Sequence, residues 1–277
     1  MHYSYLLLVL LFLSGCTEPE IGSTPPEPYD SWTQWFTIPI RDTRMEVYAS
    51  RETPVAAYTE LALWFPERFP GDPSLDHMTV LLHRSKSTET NVYITGGVCV
   101  NDAVYDVNKQ VYTTSIAPDT QATWTLECGW EENGVTWRGA ATFLIETMPE
   151  YPRVLEHSTG GMRNAYVWIQ PDSLKRGQQA IEVEIWRPNS LGLTYDLVSE
   201  RELLVTTYID PDEITGEPDT LRELNDQPGR YTSMVTISSF GSWTVSLHEE
   251  TIPAQQGVLF IFDVNNSPAE ASDQPRQ

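Results

Sequence analysis

The sequence predicts an all-β protein built as two tandem immunoglobulin-like β-sandwich domains, and two repeated stretches carry that prediction. YTTSIAPDTQATWTLEC, from Tyr112, and YTSMVTISSFGSWTVSL, from Tyr231, each place a tryptophan, Trp124 or Trp243, twelve residues after the tyrosine. AAYTELALWFP, ending at Pro66, aligns with QQAIEVEIWRP, ending at Pro188, with Glu60 over Glu182 and Trp64 over Trp186. Pro66 to Pro188 is an offset of 122 and Tyr112 to Tyr231 one of 119, so one three-residue difference in a connecting loop reconciles the two matches. Within the arms, Tyr231, Val235 and Ile237 share parity, as do Trp243, Val245 and Leu247. Tyr112 and Ile116, then Trp124, Leu126 and Cys128, repeat the pattern. Period-two apolarity marks strands with one buried face. The Pro, Asp, Gly and Ser residues between the arms suit chain reversals.

Residues 1–15 read as a lipoprotein signal peptide. Leu6 to Leu13 is an unbroken apolar run, too short to span a bilayer and right for a signal-peptide core. Leu13-Ser14-Gly15-Cys16 resembles the lipobox of bacterial lipoproteins, although no Lys or Arg precedes the apolar run. The resemblance implies cleavage before Cys16, lipidation of its thiol and a mature protein held at a membrane by acyl chains. Residues 16–33 read as an extended tether, whose Pro- and Glu-rich stretch TEPEIGSTPPEPYD, Thr17 to Asp30, reaches on the order of 40 Å at ~3 Å per residue. Thr17 after the cysteine, rather than Asp, implies by the same resemblance the outer membrane of a Gram-negative cell envelope.

A chain of 277 residues is long enough for two domains with separate cores, and 40% hydrophobic residues with nine Trp excludes a wholly disordered chain. The 39 acidic residues against 17 basic ones, net -22, make nucleic acid and anionic lipid surfaces poor partners for the folded body.

The first domain, residues 34–149, contains WFTIPI, MEVY, TELALWF, MTVLLH, NVYITG, QVYTTSI, TWTLEC and AATFLIE as short strands, with no apolar run at helical spacing. That number of strands in such a length indicates an immunoglobulin-like sandwich. With Cys16 assigned to lipid, Cys99 and Cys128 remain, and outside the cytoplasm they are expected to form a disulfide. A thiol metal site is the rival reading, but it lacks a Cys-x-x-Cys spacing. His77 and His83 share a strand parity yet stand ~20 Å apart at ~3.3 Å per residue, too far to chelate one ion. Trp64 and Trp186 share parity with Glu60 and Glu182 on the face expected to be wet. They form a candidate docking surface, unless each is tucked beneath the loop that its following proline introduces.

Between the domains, MPEYPRVLEHSTGGMRN carries turn signals that place the boundary near residue 150, and gathers Met148, His157 and Met162. Thioether and imidazole are ligands that copper accepts, so this trio is the candidate copper site. The second domain, residues 150–264, holds NAYVWIQP, QAIEVEIWRP, ELLVTTYI, GRYTSMVTI, SWTVSL and GVLFIFDV as strands. The acidic stretch from Asp210 to Asp226 reads as a loop and could bind calcium irregularly through Asp210, Asp212, Glu213, Glu217 and Asp219. Thr215 and Leu221 stand where an EF-hand needs Gly and Glu. Residues 265–277 read as a disordered tail.

Pro228-Gly229-Arg230-Tyr231-Thr232, followed by Gly241-Ser242-Trp243, resembles the YtkA-like and FixH-like extracytoplasmic domains. That resemblance implies a sandwich ending in a Gly-x-Tyr and a Gly-x-Trp strand, association with membranes and, in the FixH branch, with assembly of copper-containing oxidases. The first copy has Gln110 and Ala122 in place of the two glycines, and no metal ligand carries over from the family. Gly-x-Ser-x-Gly, His-Glu-x-x-His, P-loop and dinucleotide motifs are all absent from the sequence, so an enzyme is not expected. The reading that follows is a membrane-anchored, non-catalytic binding or scaffolding lipoprotein with an envelope protein partner. A copper or calcium handling accessory is the alternative. Loops at the sandwich ends and the groove between the copies are the expected binding places.

Overall fold

The computed structural model describes residues 25, 27–41, 43–66, 77–84, 99–100, 102–106, 108–132, 134–159, 162–189, 194–210, 213–214 and 218–265. The predicted Cys16 lipidation site, the signal peptide and most of the tether lie outside these residues, as do NVYITG and the tail beyond residue 265.

The first half comprises β1 (Thr33–Ile40), β2 (Thr43–Ala49), β3 (Thr59–Trp64), β4 (His77–Arg84), β5 (Cys99–Val100), β6 (Ala103–Asp106), β7 (Val111–Ala117), β8 (Thr123–Glu132) and β9 (Val135–Leu144). The second comprises β10 (Val154–Thr159), β11 (Met162–Gln170), β12 (Gly177–Pro188), β13 (Tyr195–Leu197), β14 (Leu203–Asp210), β15 (Glu213–Ile214), β16 (Asp219–Leu224), β17 (Gln227–Ile237), β18 (Gly241–His248) and β19 (Val258–Val264). Strand order is β1-β2-β3-β7-β6-β4-β8-β9 in one half and β10-β11-β12-β17-β16-β14-β18-β19 in the other. With the short accessory strands β5, β13 and β15 set aside, the two orders are the same, strand for strand. Each half is an immunoglobulin-like sandwich whose layers stay joined along one edge, β6 to β4 and β16 to β14. Among the described residues no helix is long and apolar enough to cross a membrane.

The repeated stretch forms β7–β8 and β17–β18, whose arms lie in opposite layers and do not pair with each other, so each copy is an arch and not a hairpin, and its aromatic pairs occupy equivalent places. Trp124, Trp243 and Tyr231 are fully buried and Tyr112 nearly so. Each indole N–H donates to the carbonyl four residues earlier, Trp124 to Thr120 at 3.2 Å and Trp243 to Ser239 at 3.0 Å. The turn is thereby tied to the large apolar group, and the indole nitrogen is satisfied inside the core. The Tyr231 hydroxyl donates to the Val198 carbonyl (2.8 Å) and accepts the Arg201 amide N–H (3.1 Å), the arrangement of a tyrosine corner.

The ladders correct the second alignment by one pleat. Leu63 pairs with Tyr112 and Val183 with Tyr231, so Leu63 matches Val183 rather than Ile185. A two-residue slip preserves parity, so the alternation identifies the core face even though the aligned register is displaced.

The expected Cys99–Cys128 disulfide is not formed: Cys128 is a free, buried thiol, pushed above its ordinary range by burial and then by the neighbouring Glu127 charge. β5 sets Cys99 opposite Ala117, the last residue of β7, at the end where the chain crosses from β7 to β8 in the other layer. Cys128 is the sixth residue of β8, ~16 Å along the strand direction at ~3.3 Å per residue, whereas a disulfide spans Cα atoms ~4.4–6.8 Å apart.

Candidate functional site in the groove between the copies

The halves meet through an apolar cluster in which Tyr58 and Ala117 of the first pack with Val154, Val167, Ile169, Trp186 and Tyr195 of the second. Trp186, expected on an open face, is fully buried here. Trp64 is buried as well, beneath a 3-10 turn at Tyr29–Ser31 that packs with Ala62, Val111 and Trp32. The two tryptophans therefore form no docking surface. Their cover is the other domain in one case and the end of the presumed tether in the other, not the loops after the prolines. The folded unit thus takes in Tyr29, a residue that composition alone assigns to the tether.

Around this cluster runs a ring of polar groups. Arg51 holds Asp172 with two hydrogen bonds, 3.1 and 2.7 Å, and donates through Nε to the Tyr58 carbonyl at 2.7 Å. Arg230, 16% exposed, donates to Glu182 at 2.8 Å and stands 3.5 Å from Glu60 across the groove. Desolvation opposes its charge, but Tyr58, Glu182 and Glu184 outweigh that and hold it above the ordinary arginine range. The strand pattern explains the placement. β12 sends Ile181, Val183 and Ile185 into its own core and, on alternate positions, Glu182, Glu184 and Trp186 toward the first half.

Glu184 is the exceptional member, 5% exposed on the strand face turned away from its own core. Its Oε1 receives the Tyr58 hydroxyl at 3.4 Å; its Oε2 has neither solvent contact nor hydrogen-bond donor among the described residues. Burial pushes its carboxyl up to about 7, with Arg230 and the adjacent Trp186 indole pulling it back and the Glu60 charge adding to the rise. Tyr58 is driven well above its ordinary range by burial, then by Glu184 and Glu60. Two hollows share Tyr58, Glu60 and Arg230. One, of about 480 Å3, is lined also by Trp32, Asp102 and Glu184; the other, of about 360 Å3, by Arg51 and Asp172.

The copper candidates are not brought together. Met148 follows the Val55–Thr147 bridge at the end where the halves meet. Met162 opposes Thr159 at the β10–β11 turn, five residues beyond the buried Val154, ~17 Å at ~3.3 Å per residue. His157 lies between them along β10 and sets its ring edge-on to Tyr166. Of the calcium candidates, Asp212 and Glu217 lie outside the described residues, and Asp210 and Glu213 pair in the β14–β15 ladder. Asp219 accepts from the Thr220 amide (2.8 Å) and the Ser233 hydroxyl (3.1 Å), and the Thr220 bond foremost holds its carboxyl below the ordinary range. Of the two histidines on β4, His83 meets Glu127 at 2.9 Å. No cluster of three His, Cys, Asp or Glu able to hold a metal occurs among the described residues. Glu184 was missed by the sequence reading, although an acidic residue between Val183 and Ile185 was a visible signal.

No protein-family model matches the chain, and no curated protein matches it. Among solved structures it is similar to FdeC, a broadly conserved Escherichia coli adhesin, at 12% identity and a TM-score of 0.27, over 80% of this chain and 64% of that one. It is also similar to the D0-D1 domain of intimin, at 13% identity and a TM-score of 0.22, over 78% of this chain and 95% of that one. The chain thus spans under two thirds of the FdeC structure, and at such scores neither likeness constrains what it binds.

Proposed function

We propose that the chain is a membrane-anchored extracytoplasmic lipoprotein, lipidated at Cys16 and addressed to the outer membrane of a Gram-negative cell envelope. Its tandem immunoglobulin-like domains form a non-catalytic binding or scaffolding module for an envelope protein. The observation that carries this reading is the groove between the copies: two hollows built from both halves around Tyr58, Glu60 and Arg230. Clefts between packed domains, with a few placed polar groups, are favoured binding places. A YtkA-like and FixH-like kinship of the second copy belongs to the same proposal. It is supported by Gly229 and Gly241, the motif glycines, at positive φ of 82° and 135°.

The test is photo-crosslinking in cells from a probe amino acid at Val104, which lines the groove and is 48% exposed, against one at Phe240, 44% exposed and outside both hollows. A discrete protein adduct from Val104 and none from Phe240 is expected. Adducts from Phe240 alone, or from neither, overturn the docking reading. Failure of Cys16→Ala to release the protein from membranes overturns the anchor.

A further inference from the structure

The larger hollow of the groove is lined by two carboxylates, one from each half, that each keep one oxygen without a hydrogen bond among the described residues. Glu184 Oε2 and Asp102 Oδ1 are both shielded from solvent and both without a hydrogen-bond donor among the described residues, and both residues line the same 480 Å3 space. Glu184 comes from β12 of the second half; Asp102 precedes β6 of the first. Buried polar atoms are almost always paired, and an unpaired buried carboxylate is costly, so two around one cavity mark a place where a donor is missing. Arg230, the cation at this hollow, donates to Glu182 at 2.8 Å and stands 3.5 Å from Glu60, so it reaches Glu184 through its charge and not through a hydrogen bond. The Trp32 indole and the Tyr58 ring supply apolar walls of the kind that pack against a long cationic side chain.

We propose that this hollow receives a guanidinium or primary ammonium group from a basic segment of the partner protein, with Glu184 and Asp102 as the two acceptors. The inference rests on the docking reading above and gives the partner a chemistry. A metal ion fits less well, because no three metal-binding side chains converge here among the described residues. Residues 16–33, the nearest part of the chain in sequence to Trp32, contain no Lys or Arg with which to fill the hollow. The net charge of -22 favours approach of a basic partner at low ionic strength.

The test is calorimetric titration of the full chain in detergent at pH 8 with a pentapeptide of arginine, with agmatine and with a pentapeptide of glutamate. The arginine peptide is expected to bind, agmatine at least tenfold more weakly and the glutamate peptide not at all. Glu184→Gln and Asp102→Asn are each expected to weaken the arginine peptide tenfold or more, with Glu131→Gln, on the outer face of β8, leaving it unchanged. Loss of the folded circular dichroism signal in one variant leaves the other to decide. Equal binding by wild type and both variants overturns the site, and agmatine binding as tightly as the peptide overturns a protein segment as the source. If the Val104 crosslink forms while the arginine peptide does not bind, the docking reading stands and the cationic partner falls. If the peptide binds at Glu184 and no crosslink forms, the docking reading falls and the cation site stands for a free ligand.

Discussion

Gln110 and Gly229 occupy the same position in the two copies, each two residues before the motif tyrosine, and both hold the left-handed backbone, at φ 55° and 82°. In the first copy the Gln110 amide closes a tight turn onto the Asp106 carbonyl at 2.7 Å. In the second, the Gly229 amide donates to Glu223 Oε1 at 2.5 Å. The duplicated fold thus demands the conformation in both places, and only one copy meets it with glycine.

Replacing these residues is therefore expected to act in opposite directions. Gln110→Gly relieves ~1–2 kcal/mol of left-handed strain but adds ~0.4–1 kcal/mol of unfolded-chain entropy, for a net gain of about 0–1.5 kcal/mol. Gly229→Ala adds the same strain, and its new Cβ would lie 2.6 Å from Leu197 Cβ, so a loss of about 2 kcal/mol or more is expected. Urea unfolding of the two variants checks both signs.

Tyr231→Phe removes a hydroxyl that serves two backbone partners, the Val198 carbonyl and the Arg201 amide. With Tyr231 fully buried, water cannot readily replace it, and a loss of about 1–3 kcal/mol is expected in the second half. Thermal unfolding followed by near-ultraviolet circular dichroism measures it. A change within 0.5 kcal/mol, by order of magnitude a surface effect, would show that the corner is dispensable.

The fold was largely legible because alternation is a strong signal when one face is fully apolar, as in Trp243-x-Val245-x-Leu247. It failed where strands carry charge. β16, Asp219–Leu224, reads in the sequence as part of an acidic loop, since only Leu221 of its residues is buried. β10 reads as part of the connection because the flanking turn signals, Pro152 and Gly160-Gly161, dominate the short stretch Val154–Thr159. The groove was visible as a place but not as chemistry. Which alternate residues of β12 face a second domain depends on how two modules pack, and no periodicity within one module encodes that. The same blindness leaves Trp186 on an open surface, whereas the cover of Trp64 is Tyr29–Ser31, which composition assigns to the tether.

Cys128 offers a direct check on the missing disulfide. It is 2% exposed and its thiol sits above the ordinary range, so the native protein is expected not to label with iodoacetamide at pH 8. In denaturant without reductant, mass spectrometry is expected to find Cys128 alkylated. Labelling only after reduction would mean that the residue is bridged.

Glu184 ties stability to pH with an unusual sign. Burial prevails over the groups that act on it, Arg230, the Trp186 indole, Glu60 and Tyr58, lifting the carboxyl from 4.5 to about 7. Between those values the folded chain holds a proton that the unfolded chain has released, so this group makes stability fall as pH rises through the window. A rise of that size corresponds to on the order of 3 kcal/mol, present as stability at pH 4.5 and absent by pH 8. Glu184→Gln keeps the shape and removes the titration, and is expected to be more stable than wild type at pH 8 while matching it near pH 5. Melting curves of both proteins across that range test this, and parallel curves would mean that Glu184 does not titrate there. A bound cation reverses the trend, since it favours the ionised carboxylate. The arginine pentapeptide should therefore bind more tightly at pH 8 than at pH 6, and binding at pH 6 should release a proton into solution.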